Sequence, residues 1–488
     1  MLGSQSQTQP KGSLRTSQSD DSNKVKAKAR YFLTWRWHFY AGLFVIPFML
    51  MLSITGLVML FDDEIEQARY SEIITVAPQA QTLPPSIQLR SVKQKYPDSQ
   101  VTQFVASDSS TKANRFNVRH EDGKSVLVTV NPYSGEVLGK IDRSDSWYQL
   151  ANDIHGTLLI GKSGDYLIEV SASLGILLLV SGIYLWLPKD NATKAGFLKI
   201  RMRSGSRILM RDLHANLGGT LSIVLLLFLL SGLAWAGVWG AKMVQGWNTF
   251  PTYYTWGEKP ESTLIHSDLN HGSEEEMPWN LELAAVPESQ GHHGGHHEHH
   301  SDQPFDTSQS VGIDSIVSKA TLLGFTQFKV YLPQSETGVY TVSANSMAGD
   351  VTDPRKDRTT HFDQYTGEVL VDVTWDDYSV VAKLMAAGVS LHQGDLSIVN
   401  KLLNVFFCLA FIVISITGAL MWWVRRPTNQ NKLGVPARFE QDGIWKAGAA
   451  TIILVSGLFP LAGVTIISVL ILDTLLVKRS PKLKAYLS

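Results

Sequence analysis

Four apolar blocks, Phe39–Phe61, Leu167–Leu187, Leu217–Gly240 and Leu402–Val424, decide what this chain can become. Each is long enough to cross the ~30 Å hydrocarbon layer of a bilayer, which takes ~20 helical residues. Backbone groups in lipid find no water to bond, so each block must be a helix. The first block starts too far into the chain and runs too long for a cleavable secretory leader. A further apolar stretch, Ile444–Val477, carries Pro460 at its middle. At ~1.5 Å per residue it is long for one straight span and short for two. We read it as two short helices turning at Gly457–Pro460, with Lys478, Arg479, Lys482 and Lys484 in the cytoplasm.

Basic residues orient the spans, because positive loops stay inside. Lys24, Lys26, Lys28, Arg30 and Arg36 precede span one, and Lys189, Lys194, Lys199, Arg201, Arg203, Arg207 and Arg211 link spans two and three. Arg425 and Arg426 follow span four. The N-terminus is therefore expected in the cytoplasm and the long segments outside, the arrangement of a bacterial inner membrane with periplasmic loops. The single cysteine, Cys408, lies within span four, which excludes an intramolecular disulfide and a Cys-based metal or iron–sulfur site. With a formal net charge of −1 and no basic recognition motif, no nucleic-acid partner is expected.

The chain repeats itself. His38 is followed by Gly42 and Thr55-Gly56-Leu57, and His214 by Gly218 and Ser231-Gly232-Leu233, at offsets of four and eighteen residues in both cases. Spans two and four end Ser181-Gly-Ile-Tyr-Leu-Trp186 and Thr417-Gly-Ala-Leu-Met-Trp422. The outside segments share Asn131-Pro-Tyr-Ser-Gly-Glu-Val-Leu138 and Asp363-Gln-Tyr-Thr-Gly-Glu-Val-Leu370, each followed by a histidine, His155 or His392. One small-Gly pair means only helix packing; five markers in one order mean duplication, with both halves entering the membrane in the same direction.

The expected fold class is a membrane α-helical bundle of four core spans in two parallel repeats, two short C-terminal helices, and two periplasmic α+β domains. The divisions are a disordered cytoplasmic tail (1–30), span one (31–61), a first outside domain (62–150), and an outer histidine segment with span two (151–187). A basic loop (188–211), span three (212–240) and a second outside domain (241–385) follow. The chain closes with a second histidine segment and span four (386–424), a loop (425–443) and the terminal helix or hairpin (444–477). Helical pattern at Ser86–Tyr96 and Ser315–Leu323 accompanies strand alternation at Gln103–Val105, Arg115–His120, Ser125–Asn131, Glu136–Ile141, Gln327–Leu332, Gly338–Asn345, His361–Gln364 and Val369–Val373. The second domain carries an insertion, 257–307, that includes His292, His293, His296, His297, His299 and His300.

A lone histidine at a membrane helix is as readily an interfacial residue as a functional one. Duplication changes this, because equivalent residues face each other across a pseudo-twofold axis. His38 then approaches His214 near the cytoplasmic face, and His155 approaches His392 outside. Paired histidines without cysteines suit bis-imidazole haem iron better than zinc, which takes three or four protein ligands. Gly42 and Gly218, one turn on, would clear space for a flat macrocycle or equally allow close helix packing. Arg36, Arg207 and Arg211 could hold propionates or serve only as topology signals. Trp186, Trp422 and Trp423 read as an interfacial belt. No dinucleotide or Walker loop is present, so a quinol or a separate reductase must donate electrons. The six-histidine tract of the insertion is a candidate accessory site for copper, nickel or zinc.

Arg36-Trp-His38, the Tyr-Ser/Thr-Gly-Glu-Val-Leu elements, Ile154-His-Gly156, Arg211-Asp-Leu-His214, Leu391-His-Gln-Gly394 and Phe459-Pro-Leu-Ala-Gly463 together resemble the PepSY-associated transmembrane proteins, over about residues 30–477. That family includes iron-regulated inner-membrane proteins and ferric-siderophore reductases with two b-type haems. The resemblance implies that His38, His214, His155 and His392 are axial ligands, and that PepSY-like domains outside form or flank the site of a ferric siderophore or other ferric complex. Two rival readings stand beside it: a peptide-binding or regulatory PepSY protein, and a metal-delivery protein led by the His-rich loop. The scarcity of paired acidic residues in the spans speaks against ion transport.

Overall fold

The computed structural model describes residues 12–107, 109–189, 194–244, 262–271, 276–289, 310–427, 432–437, 439 and 445–487. In chain order the helices and strands are α1 Gly12–Leu60, α2 Asp62–Ile74, α3 Pro85–Lys95, β1 Gln100–Val105, β2 Asn114–Arg119, β3 Ser125–Val130, β4 Val137–Ile141, α4 Trp147–Thr157 and α5 Lys162–Trp186. They continue with α6 Ser206–Thr220, α7 Ser222–Leu233, α8 Ile313–Leu322, β5 Lys329–Tyr331, β6 Val339–Ala344, β7 Arg358–Asp363 and β8 Val369–Thr374. The chain ends with α9 Val380–Gln393, α10 Ile398–Arg425, α11 Lys446–Leu458, α12 Pro460–Leu472 and α13 Pro481–Tyr486. Two compact units result: Met1–Ile54 with Ile160–Trp239 and Cys408–Ser488, and Thr55–Leu159 with Gly240–Phe407.

The first unit is helical. Val25–Leu60, Lys162–Trp186, Ile398–Arg425 and Pro460–Val477 are each long and apolar enough to cross a membrane, so the chain is a multi-pass membrane protein. Val45, Leu177, Leu229, Leu233, Phe459 and Ala462 form its core. Ile223 and Ile453 are each 72% exposed, a pattern that water would penalise and lipid satisfies. Span three is not straight: α6 and α7 meet at 62°. Thr220 and Ser222 donate their hydroxyls to the carbonyls of Asn216 and Gly219, at 2.6 and 2.8 Å, and such back-bonding bends helices. The indole of Trp186 fills the space a side chain at Gly219 would need.

The helix of span one extends back to Gly12, although the Ser- and Gln-rich composition there predicts disorder over 1–30. Propagation from an anchored helix adds a hydrogen bond per residue without a new nucleus, which offsets poor propensity. The terminal apolar stretch breaks at Phe459, as Pro460 requires. The two pieces pack side by side so closely that a Cβ at Gly463 would lie 2.8 Å from the carbonyl oxygen of Ser456.

The second unit is built on one antiparallel sheet in the order β4-β3-β2-β1-β5-β6-β7-β8. Sequence alternation suggests two separate domains; the structure joins them where β1 pairs β5, with Phe104 opposite Val330 and Val105 opposite Lys329. Alone, each strand would leave a row of unpaired N–H and C=O groups, and pairing removes both edges. Helices α3 and α8 cover one face, burying Val92, Phe104, Phe116, Val128, Ile316, Val342 and Phe362 in a shared core. The Asp314 carboxylate accepts from the Ser86 amide at 2.8 Å and from its hydroxyl, tying together the starts of these two helices.

Candidate functional site

Histidines 38 and 214 lie on α1 and α6 of the first unit, with ring centroids 6.2 Å apart and planes at 87°. His155 near the end of α4 and His392 near the end of α9 stand likewise in the second unit, at 6.4 Å and 84°. Each unit thus holds one of these two face-to-edge pairs.

Neighbouring groups fix how the rings point. His214 Nδ1 is 2.9 Å from the carbonyl oxygen of Ile414, which can only accept, so Nδ1 carries the proton and Nε2 the lone pair. His38 Nδ1 is 3.0 Å from Ser181 Oγ. That hydroxyl already donates to the Leu177 carbonyl at 2.8 Å, so it accepts from His38 and leaves Nε2 unprotonated as well. His155 Nδ1 bonds Thr55 Oγ1 at 2.8 Å. Burial and the neighbouring His392 push the His155 pKa down to about 3, which keeps the imidazole neutral and able to ligate. A Nδ1 partner that sets tautomer and orientation is the usual support of a metal-binding histidine.

Glycines let these rings sit against helices. A Cβ at Gly182 would come within 3.1 Å of His38 Cε1, and one at Gly418 within 3.1 Å of His214 Cε1. These are the glycines of the repeated Ser181-Gly182 and Thr417-Gly418 markers. Gly42 and Gly218 behave differently: a Cβ at Gly218 would meet nothing within 4 Å, and one at Gly42 only Leu178 at 3.7 Å. Close packing therefore does not account for Gly218.

A third histidine pair gives an internal comparison. His266 and His361 are fully buried, with centroids 4.9 Å apart and Nε2 atoms 3.0 Å apart. His266 Nδ1 donates to the Ala284 carbonyl at 2.7 Å, and His361 Nδ1 bonds Thr341 Oγ1 at 2.8 Å. This pair packs on itself and pins the inserted segment to the sheet; nothing local in the sequence marks it. The other two pairs stand wider. Two imidazoles bound through Nε2 to opposite sides of one metal at ~2 Å place their centroids ~6 Å apart, which is the observed spacing. Among the described residues no three His, Cys, Asp or Glu side chains converge as a metal site, so each pair offers two protein ligands. That donor set suits a metal whose remaining positions are filled by a macrocycle.

Other candidate residues fare differently. Arg36 donates to the Pro436 carbonyl at 2.6 Å, and Arg211 pairs with Asp212 at 3.2 Å. The Nε1 of Trp186, at the end of α5, donates to Asn216 Oδ1 at 3.0 Å and its ring packs on Phe197. Trp422 donates to the Leu433 carbonyl, while Trp423 stays exposed beneath Arg426. His292, His293, His296, His297, His299 and His300 lie outside the described residues. Asp165 and Glu169 lie one turn apart near the start of α5. Their carboxylates accept from the amides of Gly237, Val238 and Trp239, so they serve the irregular exit of span three.

Compared with known proteins, residues 35–425 match a family model described as the PepSY-associated TM region. No curated protein matches the chain.

Proposed function

This chain belongs to the PepSY-associated TM region family, and from that premise we propose that it is a di-haem membrane oxidoreductase delivering electrons to a ferric chelate, a ferric siderophore in the first instance. One b-type haem would be held by His38 and His214 and the other by His155 and His392. Such a group, when bound, takes up and releases single electrons without an open coordination position. The chain does the rest. Ser181 and the Ile414 carbonyl hold two of the imidazoles in the ligating tautomer, Thr55 bonds a third, and Gly182 and Gly418 let two of the rings lie flush on their helices. The spacing of the pairs, 6.2 and 6.4 Å against 4.9 Å for the self-packed pair, carries this reading.

The positive-inside pattern supports a bacterial inner-membrane location with a cytoplasmic N-terminus and the eight-stranded sheet in the periplasm. The mirrored strand order supports duplication. A quinol or a separate reductase would supply the electrons. Reducing iron loosens it from hard oxygen donors, because Fe(II) is the softer, less charged ion. The test is optical. Full-length protein purified in detergent should show two low-spin haems per chain, in oxidised and dithionite-reduced spectra. His38→Ala and His214→Ala should each remove one of the two. A colourless protein would sink the proposal and favour the regulatory PepSY reading.

A further inference from the structure

Two adjacent arginines stand at the end of span four and are held differently. Arg426 lies over the ring of Trp423 at 3.4 Å, and that ring is exposed, the ordinary course of a cation at a membrane face. Arg425 turns inward within the first unit. Its Cζ is 4.9 Å from the centre of the Trp35 ring and 5.3 Å from that of Phe39, residues one turn apart on α1. Among the described residues its one acceptor is the Gly434 carbonyl, 3.0 Å from Nη2, while its Nε is buried and donates to nothing. A buried charged donor without an acceptor is costly.

No carboxylate of the described residues offsets this charge; the charged group that bears on Arg425 is a second cation, Arg207. Arg207 is exposed in the first turn of α6, and Gly205 leaves that helix start without a side-chain cap. The positive end of α6 therefore adds to the two guanidiniums. The other arginines read as candidates at this face are already used, Arg36 by the Pro436 carbonyl and Arg211 by Asp212.

Helix geometry ties both positions to the His38–His214 pair. Arg207 precedes His214 by seven residues on α6. Arg425 follows Gly418, the glycine against the His214 ring, by seven residues on α10. Seven residues make nearly two full turns, so each arginine shares a helix face with the ring or its contact, ~10.5 Å along the axis. Phe39, which Arg425 covers, is the residue after His38. An orphaned buried donor and a second cation, set two turns from a ligating ring, suit the acidic edge of a planar cofactor.

We propose that Arg425, assisted by Arg207, binds a propionate carboxylate of the haem held by His38 and His214. The inference rests on the di-haem reading and goes beyond it in naming what seats that haem besides its axial ligands. Guanidinium–carboxylate bonds are charge-assisted, and Arg425 has its Nε free to make one.

Titration of stripped protein with protohaem and with its dimethyl ester, whose arms carry no charge, tests this by optical absorbance. A His392→Ala background leaves the His38–His214 pair alone to take up haem. Expected is that Arg425→Gln weakens protohaem binding about tenfold and leaves the affinity for the ester unchanged. Arg207→Gln should do the same to a smaller extent, and Arg425→Lys should retain most of the affinity for the acid. Equal weakening of acid and ester in Arg425→Gln would reduce the side chain to packing against Trp35 and Phe39, and unchanged binding of both would remove it from the site; either result overturns the proposal. A stripped protein that takes up neither compound ends the di-haem reading and this assignment together, whereas uptake of both with no preference for the acid ends this assignment alone.

Discussion

Ser181 and the Ile414 carbonyl do one job with different chemistry: each takes the Nδ1 proton of a facing histidine. The repeated Ser181-Gly182 and Thr417-Gly418 markers put a hydroxyl at both points, yet only the first hydroxyl reaches a ring. Thr417 Oγ1 instead donates to the Val413 and Ile414 carbonyls, and the latter receives His214. Removing such an orienting partner typically weakens metal binding ~10–100-fold. Ser181→Ala should therefore weaken haem rebinding to the His38–His214 pair by about that factor, measured by titrating haem into stripped protein. Thr451→Ala, which alters only a hydroxyl bonded to the Ala447 carbonyl on α11, is the control. Unchanged rebinding in Ser181→Ala would remove the orienting role. The histidines and the small-Gly markers were legible in the sequence because each occurs there twice, in the same order. Their mutual contacts were not, since a Ser-Gly pair reads the same whether it faces lipid, a helix or a ring.

Strands and helices of the second unit follow local pattern closely. The alternation at Ser125–Asn131 becomes β3, and that at Gly338–Asn345 becomes β6. The joining of β1 to β5 left no such trace, because a strand with one exposed edge and a strand paired on both sides bury side chains on the same alternate positions. The tie between the insertion and this sheet was equally hidden, since it depends on His266 meeting His361 across 95 positions. That tie should make the unit sensitive to acid. Burial lowers the His266 pKa from 6.5 to about 4, and burial and its partner hold His361 well below the usual histidine value. Between these limits the unfolded chain binds more protons than the folded one, so stability falls as pH drops from about 6.5 to about 4. His266 alone accounts for roughly 3 kcal/mol over that window. Denaturant midpoints measured by near-ultraviolet circular dichroism should decline across it in the native protein, and far less in a His266→Gln, His361→Gln variant. An equal decline in both would exclude the histidine pair as the cause.

At the scale of the molecule, each unit supplies one of the two wider pairs, and α1 runs through both units with His38 on one stretch and Thr55, the partner of His155, seventeen residues further on. Composition and periodicity were enough to establish the membrane helices, because lipid leaves a backbone no other choice. They could not say whether two pairs work in series or as separate sites. The series arrangement makes a distinctive prediction. In proteoliposomes with a reductant enclosed and a ferric chelate outside, the intact protein should reduce the external iron, and His214→Ala and His392→Ala should each abolish it while retaining one haem. Independent sites predict partial loss in each variant instead. Direct reduction of the outer pair by dithionite added outside provides the necessary contrast: His214→Ala, which keeps His155 and His392, should still pass those electrons to the chelate, whereas His392→Ala should not. A His214→Ala protein that carried electrons from the enclosed reductant as well as the intact one would show that the inner pair is not on the path.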